Sequence, residues 1–383
     1  MAYYDGTLSH NRVLFSAVTG ALYNMIIRQT VRSDPESEGQ LSLLDDFKRD
    51  AGLYGDRIIE YFCSSLVVKD YNPDTEDQLN VLATARPKPP YCEKVEIDTV
   101  KYAELTLDDF LTKQGFSDES TFSAFKDVMT QKLNSVKKTY LEKLFNVYMG
   151  TEKTELNEQL ITISLPTKEE VADAEARARI SAQTIAREVS DIMVSLTEDS
   201  TSRFTDIGAT DTEYLHCWKK EDMICIFNTK ALNKITYMDL PTMFHDTEVM
   251  SAIKKNIRRL PPEYWGDVNN SSVTQSDGTT IRSLTDQWVT DTSSVKHHVR
   301  PGQIIPKNVT LASGSNILVP SYTQNDKYLC KFVHKDSVPV LDAFNSNSEF
   351  WNPKNLSRNL YTHFMYNTFV RFTGLPFVTI KAE

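Results

Sequence analysis

Residues 63–108 read CSSLVVKDYNPDTEDQLNVLATARPKPPYCEKVEIDTVKYAELTLD, and their pattern is the most distinctive in the chain. Residues 63–69 predict one strand, and residues 93–100 predict a second because apolar and charged side chains alternate there. The residues between them show little periodicity and close in RPKPP (86–90), where the prolines keep the chain extended. A connection this long is rare inside a compact domain. We therefore predict a two-stranded arm that projects from the body and needs a partner surface.

The chain before this stretch reads as an arm followed by a short helix. Residues 13–27 are mostly apolar, and their large side chains fall on one helical face, which favours a docked amphipathic helix over a signal peptide. A polar stretch, residues 32–39, follows. A second short helix is predicted for residues 43–62, with an interruption near its glycines. Residues 1–45 are therefore expected to form an N-terminal arm with weak attachment to the core.

After the stretch comes the longest helical pattern in the sequence. Apolar residues recur every three or four positions from Phe122 to Val147, and Gly150 follows as a stop signal. We predict a helix over residues 117–149 that serves as a spine on which other elements pack.

The remaining chain alternates between strand and helical patterns. Residues 155–165 predict a strand, and a second long helix is predicted to open at residues 166–170, where Thr167 and Glu170 have the spacing of a capping box. Further elements are predicted as strands at 223–227, 328–334, 338–344 and 369–380, a helix at 230–235, and an irregular polar region at 262–325 with a loop at 269–280. The late strands have no nearby partners, so we expect a sheet closed by pairing between distant parts of the chain.

The composition is that of an ordinary acidic globular protein. Hydrophobic residues make up 40% and charged residues 25% of the 383 residues, which argues against disorder over most of the chain. The net charge of −10 disfavours a protein that wraps nucleic acid. Five cysteines without framework spacing indicate reduced thiols and synthesis inside a cell. No segment approaches the ~20 apolar residues of a membrane span.

Two basic clusters stand out against this acidic background. They are KK at residues 137–138 and KKNIRR at residues 254–259. Solvated helix faces are the expected interpretation, and local contact with a phosphate backbone is the alternative.

Motifs for catalysis are absent from the sequence. It contains no phosphate loop, no G-x-S-x-G elbow, no H-E-x-x-H and no dinucleotide fingerprint. Acidic pairs such as residues 45–46 and 108–109 are common in any acidic protein, and nothing selects two of them as a catalytic pair. We predict no catalytic residue and no cofactor-binding residue.

Histidine and cysteine spacing also fails to predict a metal site. Cys330 and His334 lie on a predicted strand, where four residues span about 13 Å, too far for one tetrahedral ion. The pair at residues 216–217 with Cys225 lacks a fourth ligand, and the two histidines at 297–298 point to opposite faces if extended. We predict no metal-binding residue.

The order of elements resembles that of the major capsid proteins of tailed bacteriophages, in particular the short-tailed phage type. The most specific local likeness is DMICIFNTK, residues 222–230, which is similar to the strand of the family's axial domain that leads into a short helix. The helix opening at residues 166–170 lies ahead of it at the expected distance. The aromatic closing run over residues 349–381 is similar to endings seen in these phages.

The resemblance implies an α+β chain with the tailed-phage and herpesvirus major-capsid fold. That fold has an N-terminal arm, an extended β-hairpin loop, a peripheral domain with a long spine helix, and an inserted axial domain. Carried onto this sequence, the division is an arm at 1–45, an extended hairpin loop at 63–108, a peripheral domain at 46–62, 109–159 and 326–383, and an axial domain at 160–325.

The resemblance also implies a function and its partners. Many copies would self-assemble into the icosahedral head that encloses the phage DNA, as hexamers and pentamers, together with portal and scaffolding proteins. Packaged double-stranded DNA would be held by weak non-specific contact, with no membrane partner, no cofactor and no enzymatic activity. The expected location is the virion capsid, after synthesis in the host bacterial cytoplasm. The alternatives are another virion structural protein (scaffold-related, connector or tail component) and an α/β enzyme with an unrecognised site.

Overall fold

The computed structural model describes most of the chain after the N-terminal segment. The described residues are 43–50, 55–63, 89–108, 119–151, 159–197, 200–201, 215–216, 218–236, 256–269, 280–291, 293–307, 309, 320–343, 345–354 and 356–383. The predicted helix at residues 13–27, most of the predicted arm and residues 64–88 of the predicted loop lie outside these ranges.

Helices and strands are distributed over the whole described chain. The helices are α1 (Leu43–Phe47), α2 (Glu119–Gly150), α3 (Ala174–Thr197) and α4 (Thr229–Thr236), with 3₁₀ turns at Lys220–Asp222 and Pro262–Tyr264. The strands are β1 (Lys48–Asp50), β2 (Arg57–Phe62), β3 (Tyr91–Glu96), β4 (Thr99–Asp108), β5 (Gln159–Ile163), β6 (Ser200–Thr201), β7 (Leu215–His216), β8 (Met223–Asn228), β9 (Ile257–Leu260), β10 (Gly266–Val268), β11 (Ile281–Ser283), β12 (Gln287–Thr290), β13 (Lys296–Val299), β14 (Ser321–Gln324), β15 (Tyr328–His334), β16 (Val340–Asp342), β17 (Asn345–Asn352), β18 (Ser357–Tyr366) and β19 (Phe377–Ala382).

A five-stranded sheet forms the centre of the molecule, in the order β5-β19-β15-β8-β9. Every residue of β8 and β15 is buried, as expected for strands that are covered on both faces. Alternate side chains of β8 enter two different clusters: Cys225 packs with Ile185 of α3, and Ile226 packs with Phe145 of α2. The sheet therefore lies between α3 on one face and α2 with α1 on the other.

Distant parts of the chain pair in this sheet, as the sequence predicts. β15 pairs antiparallel with β8 and with β19, whereas β19 pairs parallel with β5 and β8 pairs parallel with β9. The predicted strands at 223–227 and 328–334 and the predicted helix at 230–235 are confirmed by β8, β15 and α4.

The spine helix is confirmed, with a wider buried face near its C-terminal end. α2 spans Glu119–Gly150, close to the predicted 117–149. Leu141, Phe145 and Met149, four residues apart, are buried there together with Val147 of the predicted stripe. The predicted stripe through Tyr140 and Leu144 is half-buried beside them. The last turns are therefore apolar around more of the helix than a single stripe implies.

The predicted helix over residues 43–62 is wrong beyond Phe47. Residues 48–50 form β1, which pairs in parallel with β16, and residues 57–62 form β2. The sequence RIIEYF of β2 is rich in β-branched and aromatic side chains, and its pairing with YCEKVE of β3 stabilises an extended chain.

The strand boundaries predicted for the projecting hairpin are also corrected. β2 pairs with β3 over residues 57–62 and 91–96, so Cys63 follows the first strand rather than opening it. The predicted strand at 93–100 is divided at residues 97–98, and β4 continues to Asp108 in another sheet. There β4 pairs over ten residues with β18, which lies 249 to 267 positions further along the chain and cannot be inferred from a local pattern.

The second long helix begins later than predicted. The Thr167 N–H donates to the Glu170 carboxylate (2.9 Å), as in a capping box, but this closes a turn. The helix α3 starts at Ala174, where the Asp173 carboxylate accepts the N–H groups of residues 175 and 176. The Asp173 carboxylate thus supplies acceptors to two of the four orphan amides of the first turn.

Three further strand predictions need new bounds. Within the described residues, the predicted strand at 155–165 covers Gln159–Ile163, and that at 338–344 covers Val340–Asp342. The strand predicted at 369–380 begins at Phe377, and β17 and β18 were not predicted. The region at 262–325, predicted to be irregular, contains β10 to β14. These strands were not predicted because three or four residues are too few to show a period. The loop at 269–280 falls almost entirely outside the described residues.

Acid sensitivity is expected from His334, the last residue of β15. Burial lowers its pKa to about 4, the neighbouring Asp222 acts in the opposite direction, and Lys335 and Arg49 lower the pKa further. Its ring packs against Trp218, with centroids 5.3 Å apart, and its Nδ1 accepts the Asp336 N–H. In the unfolded chain this histidine is protonated near pH 6.5, whereas in the folded chain it is protonated only near pH 4.

Folding stability should therefore fall by about 2 kcal/mol as the pH is lowered from 6.5 to 4. Thermal unfolding across this range should show a smaller decrease in His334→Asn, which keeps an acceptor in place of Nδ1. His363→Asn, at a half-exposed position, is the matched control and should follow the parent chain. Equal pH slopes in all three proteins would contradict the assignment to His334.

Candidate assembly surfaces

The β2–β3 hairpin is attached to the body through its inner face. Phe62, Val95 and Ile97 pack in one buried cluster with Leu341 and Phe372 from the C-terminal part of the chain. These contacts hold the start of the predicted extended loop, whose residues 64–88 lie outside the described chain, against the end of the sequence.

Two carboxylates fix the hairpin to the same C-terminal segment. Glu93 accepts the N–H of Thr373 (2.8 Å) and its hydroxyl group. Asp98 accepts the N–H (2.8 Å) and the hydroxyl (2.7 Å) of Thr368. Burial alone would raise the pKa of Asp98, but these hydrogen bonds outweigh it, and the pKa is lowered. The hairpin therefore has a defined orientation relative to the body.

The outer face of this hairpin remains open to solvent. Tyr61 is 62% exposed, and Ile59, which lies two residues earlier on the same face of β2, is also exposed. Exposed apolar groups that cluster on one face mark an interaction surface more often than isolated ones do. Sequence analysis assigned the hairpin to a partner surface without identifying these residues. The alternation of aromatic and charged residues in EYFC and YCEK was the available signal.

A second open surface is formed by the three-stranded sheet β17-β18-β4. One face packs on the spine helix, where Tyr140 lies 6.0 Å from the Phe364 ring and 6.1 Å from the Tyr366 ring. Burial and the hydrogen bond between the two tyrosine hydroxyls raise the pKa of Tyr366. The opposite face exposes Val100 and Tyr102, the latter beside His363.

Some side chains of the two basic clusters form hydrogen bonds within the subunit. Lys137 is buried, and its ammonium donates to Asp342 (2.6 Å) and to the Ala343 carbonyl (2.7 Å). Arg258 donates to the Asp46 carboxylate (2.8 Å) and so ties the end of α1 to β9. The expected solvated helix face is therefore wrong for Lys137. Residues 254–255 of the second cluster lie outside the described chain.

Two open clefts of about 530 and 460 Å³ lie beside the spine helix, and both are lined by Lys143, His298 and Pro301. His298 Nε2 lies 2.7 Å from an Asp286 oxygen. Arg282 donates to the Gly302 carbonyl (2.6 Å) and to Gln324 (3.1 Å). These charged groups thus pair with neighbouring side chains or with backbone carbonyls.

The residues considered as metal ligands are dispersed. Cys225 and Cys330 lie on adjacent strands, and burial followed by their thiol hydrogen bond raises the pKa of the Cys225 thiol. His297 Nε2 lies 3.1 Å from Asp291, and Cys217 falls outside the described residues. Within the described ranges, no three His, Cys, Asp or Glu side chains are grouped so as to hold a metal ion. None of the described helices is long and apolar enough to cross a membrane.

Comparison with known proteins supplies a family. A family model described as Phi29-like phage major capsid protein matches residues 4–371, nearly the whole chain. No curated protein matches the sequence.

Two solved structures share the fold at low sequence identity. The first is a chain from the structure of the head fiber and inner core protein gp22 of native bacteriophage P68, with a TM-score of 0.60, 11% identity, and coverage of 93% of this chain and 89% of that chain. The second is from the capsid structure of Staphylococcus phage Andhra, with a TM-score of 0.57, 12% identity, and coverage of 93% and 87%. At these identities the likeness is one of fold alone.

Proposed function

The chain belongs to the Phi29-like phage major capsid protein family, and we propose that its copies assemble as hexamers and pentamers into an icosahedral head around the phage DNA. The capsid-forming structural role follows from the family. The resemblance noted in the sequence is confirmed by the family match, and the tailed-phage capsid fold by the two solved structures. The capsomer types, the partners and the absence of enzymatic activity belong to the proposal.

The family match carries this proposal, and the open surfaces support it. The exposed faces around Tyr61 and Tyr102 are apolar areas that an isolated subunit leaves in water. Neighbouring copies would remove them from water by heterologous contacts, which close into rings when the rotation between copies allows it.

The domain division remains a proposal as well. We propose an arm at 1–45, an extended loop at 63–108, a peripheral domain at 46–62, 109–159 and 326–383, and an axial domain at 160–325. Strands β15 and β19 of the peripheral range pair with β8 and β5, so any movement between these domains must bend a shared sheet.

Assembly can be tested directly with the purified full chain. Sedimentation and negative-stain electron microscopy over a range of protein and salt concentrations should show rings of six and five and closed shells, with purified scaffolding protein added in a parallel series. A protein that stays monomeric in both series would overturn the proposal. Recovery of the chain as a minor component of purified virions would instead favour a connector or tail role.

Contact with packaged DNA is proposed to be weak. The chain carries a net charge of −10, and Lys137 and Arg258 are engaged in internal ion pairs. Phosphate contacts release few counterions in such a protein, so the apparent dissociation constant for duplex DNA should be weaker than about 100 μM at physiological salt. A gel-shift titration measures this, and sub-micromolar binding would contradict it.

Portal and scaffolding proteins are further proposed partners, and the capsid of the virion is the proposed location after synthesis in the host bacterial cytoplasm. These statements follow from the family's role rather than from a contact in the subunit. Co-purification with a portal protein from infected cells is the corresponding measurement.

A further inference from the structure

We propose that the β17–β18 hairpin of one subunit docks on a second copy of this chain and buries Phe350, Trp351 and Leu356 there. This inference rests on the proposed function, because it names a specific contact between copies. It concerns a segment of the C-terminal region that the sequence analysis did not assign to any surface.

The strand β17 is open to solvent on both faces. Seven of its eight residues are exposed, and Asn352 is half-buried. Phe350 is 62% exposed and Trp351 is 41% exposed, and because they are adjacent in a strand they point to opposite faces. Among the described strands, β17 pairs with β18 alone, so its other edge presents unpaired backbone groups.

This edge has little of the usual protection against pairing, because Glu349 is the one charged residue of β17. Natural edge strands are kept short or carry lysine, proline or a bulge. The sequence NSNSEFWN is eight residues long, contains no proline and no lysine, and pairs with β18 in one continuous register. An open edge of this kind is retained where assembly covers it.

The hairpin is ordered before it binds. Arg358 lies over the Trp351 ring at 5.6 Å and pairs with Glu349 at 3.5 Å, and the Asn352 side chain accepts the Lys354 N–H. Leu356 has a φ of 51°, a strained conformation that directs a 48% exposed leucine out of the turn. Because the hairpin is already ordered, docking loses little conformational entropy.

A second copy fits this surface better than a polar ligand does. The charges of Glu349 and Arg358 are already paired within the hairpin, so the part left to be recognised is apolar. Aromatic side chains of this type dominate the binding energy of protein interfaces. In a protein whose function is to pack against its own copies, the surface that meets this hairpin is most simply another subunit.

The first test is the double variant F350S/W351S in the full chain. The critical concentration for assembly should rise about a hundredfold, because two interface anchors are lost. The conservative variant F350L/W351F keeps the apolar surface and should assemble like the parent. The thermal unfolding midpoint of the unassembled subunit should be the same in all three proteins, which distinguishes an assembly defect from a folding defect.

The outcomes separate this inference from the proposed function. If the parent chain fails to assemble, the proposed function fails. If the parent and F350S/W351S assemble at the same concentration, the function stands and the hairpin contact is overturned.

A second test identifies the occupant. p-Benzoylphenylalanine incorporated at position 350 should crosslink to peptides of this same chain when assembled particles are irradiated and analysed by mass spectrometry. Crosslinks to a different virion protein alone would overturn the choice of a second copy.

Discussion

Phe145→Ala should destabilise the subunit by about 4 kcal/mol. The Phe145 ring is completely buried on α2 between two aromatic partners. It lies 5.2 Å from the Phe47 ring and 5.3 Å from the Phe369 ring, the latter edge-to-face. Removing it leaves a cavity where the spine helix, the N-terminal helix α1 and the C-terminal region meet.

Thermal or denaturant unfolding of the unassembled subunit measures this loss. Phe350→Ala removes the same side chain from an exposed position and is the matched control, with an expected change below about 0.5 kcal/mol. Hydrogen exchange of residues 43–50 should also accelerate in Phe145→Ala, because Phe47 loses its partner. If Phe145→Ala unfolds like Phe350→Ala, the aromatic contact does not hold α1 in place.

Gly150→Ala should destabilise the subunit by about 3 kcal/mol, although the same change in an exposed helix normally stabilises it by about 1 kcal/mol. Gly150 ends α2 where the 3₁₀ turn Pro262–Tyr264 crosses the helix. A Cβ built there would lie 2.2 Å from the Tyr264 carbonyl oxygen and 2.7 Å from its carbon. These are backbone atoms, so the clash can be relieved only by moving the turn or the helix.

Asn134→Ala, at an exposed position of the same helix, is the control and should be neutral or slightly stabilising. The unfolding midpoints of the two variants, each compared with that of the parent, show whether the substitution stabilises or destabilises the subunit. A stabilised Gly150→Ala would mean that the turn does not press on the helix end, and the contact between α2 and residues 262–264 would have to be abandoned.

The buried strands were the most predictable part of the fold. β8 reads MICIFN and β15 reads YLCKFVH, and runs of apolar residues this short are long enough for a strand but not for a typical helix. The spine helix was equally predictable, because a spacing of three and four held over several turns of α2 and a glycine followed. In each case the signal lies within the segment itself.

Elements whose state depends on a remote partner were mispredicted. β4 is an extended strand because β18 pairs with it, and β1 is extended because β16 does. Lys137 was predicted to lie on the surface, yet its ammonium is buried because Asp342 and the Ala343 carbonyl accept its hydrogen bonds. The start of α3 depended on two possible caps, of which Asp173 accepts hydrogen bonds from two amides of the first turn.

The candidate surfaces show the same division. That a two-stranded arm should lie on a partner could be argued from residues 63–108 alone. The sequence could not show which side chains face outward, because a shift of one residue in pairing exchanges the two faces of a strand. Phe350 and Trp351 belong to the aromatic closing run over residues 349–381, and only their place on an edge strand shows that they are exposed.

The element types with strong local periods, the acidic charge, and the resemblance in element order that led to the capsid family could all be read from the order of residues. The pairing of strands, the burial of charges and the exposure of apolar residues became visible only in the folded chain. Periodicity and capping act over a few residues of chain, whereas burial and exposure are set by partners up to 280 positions away, such as Glu93 and Thr373.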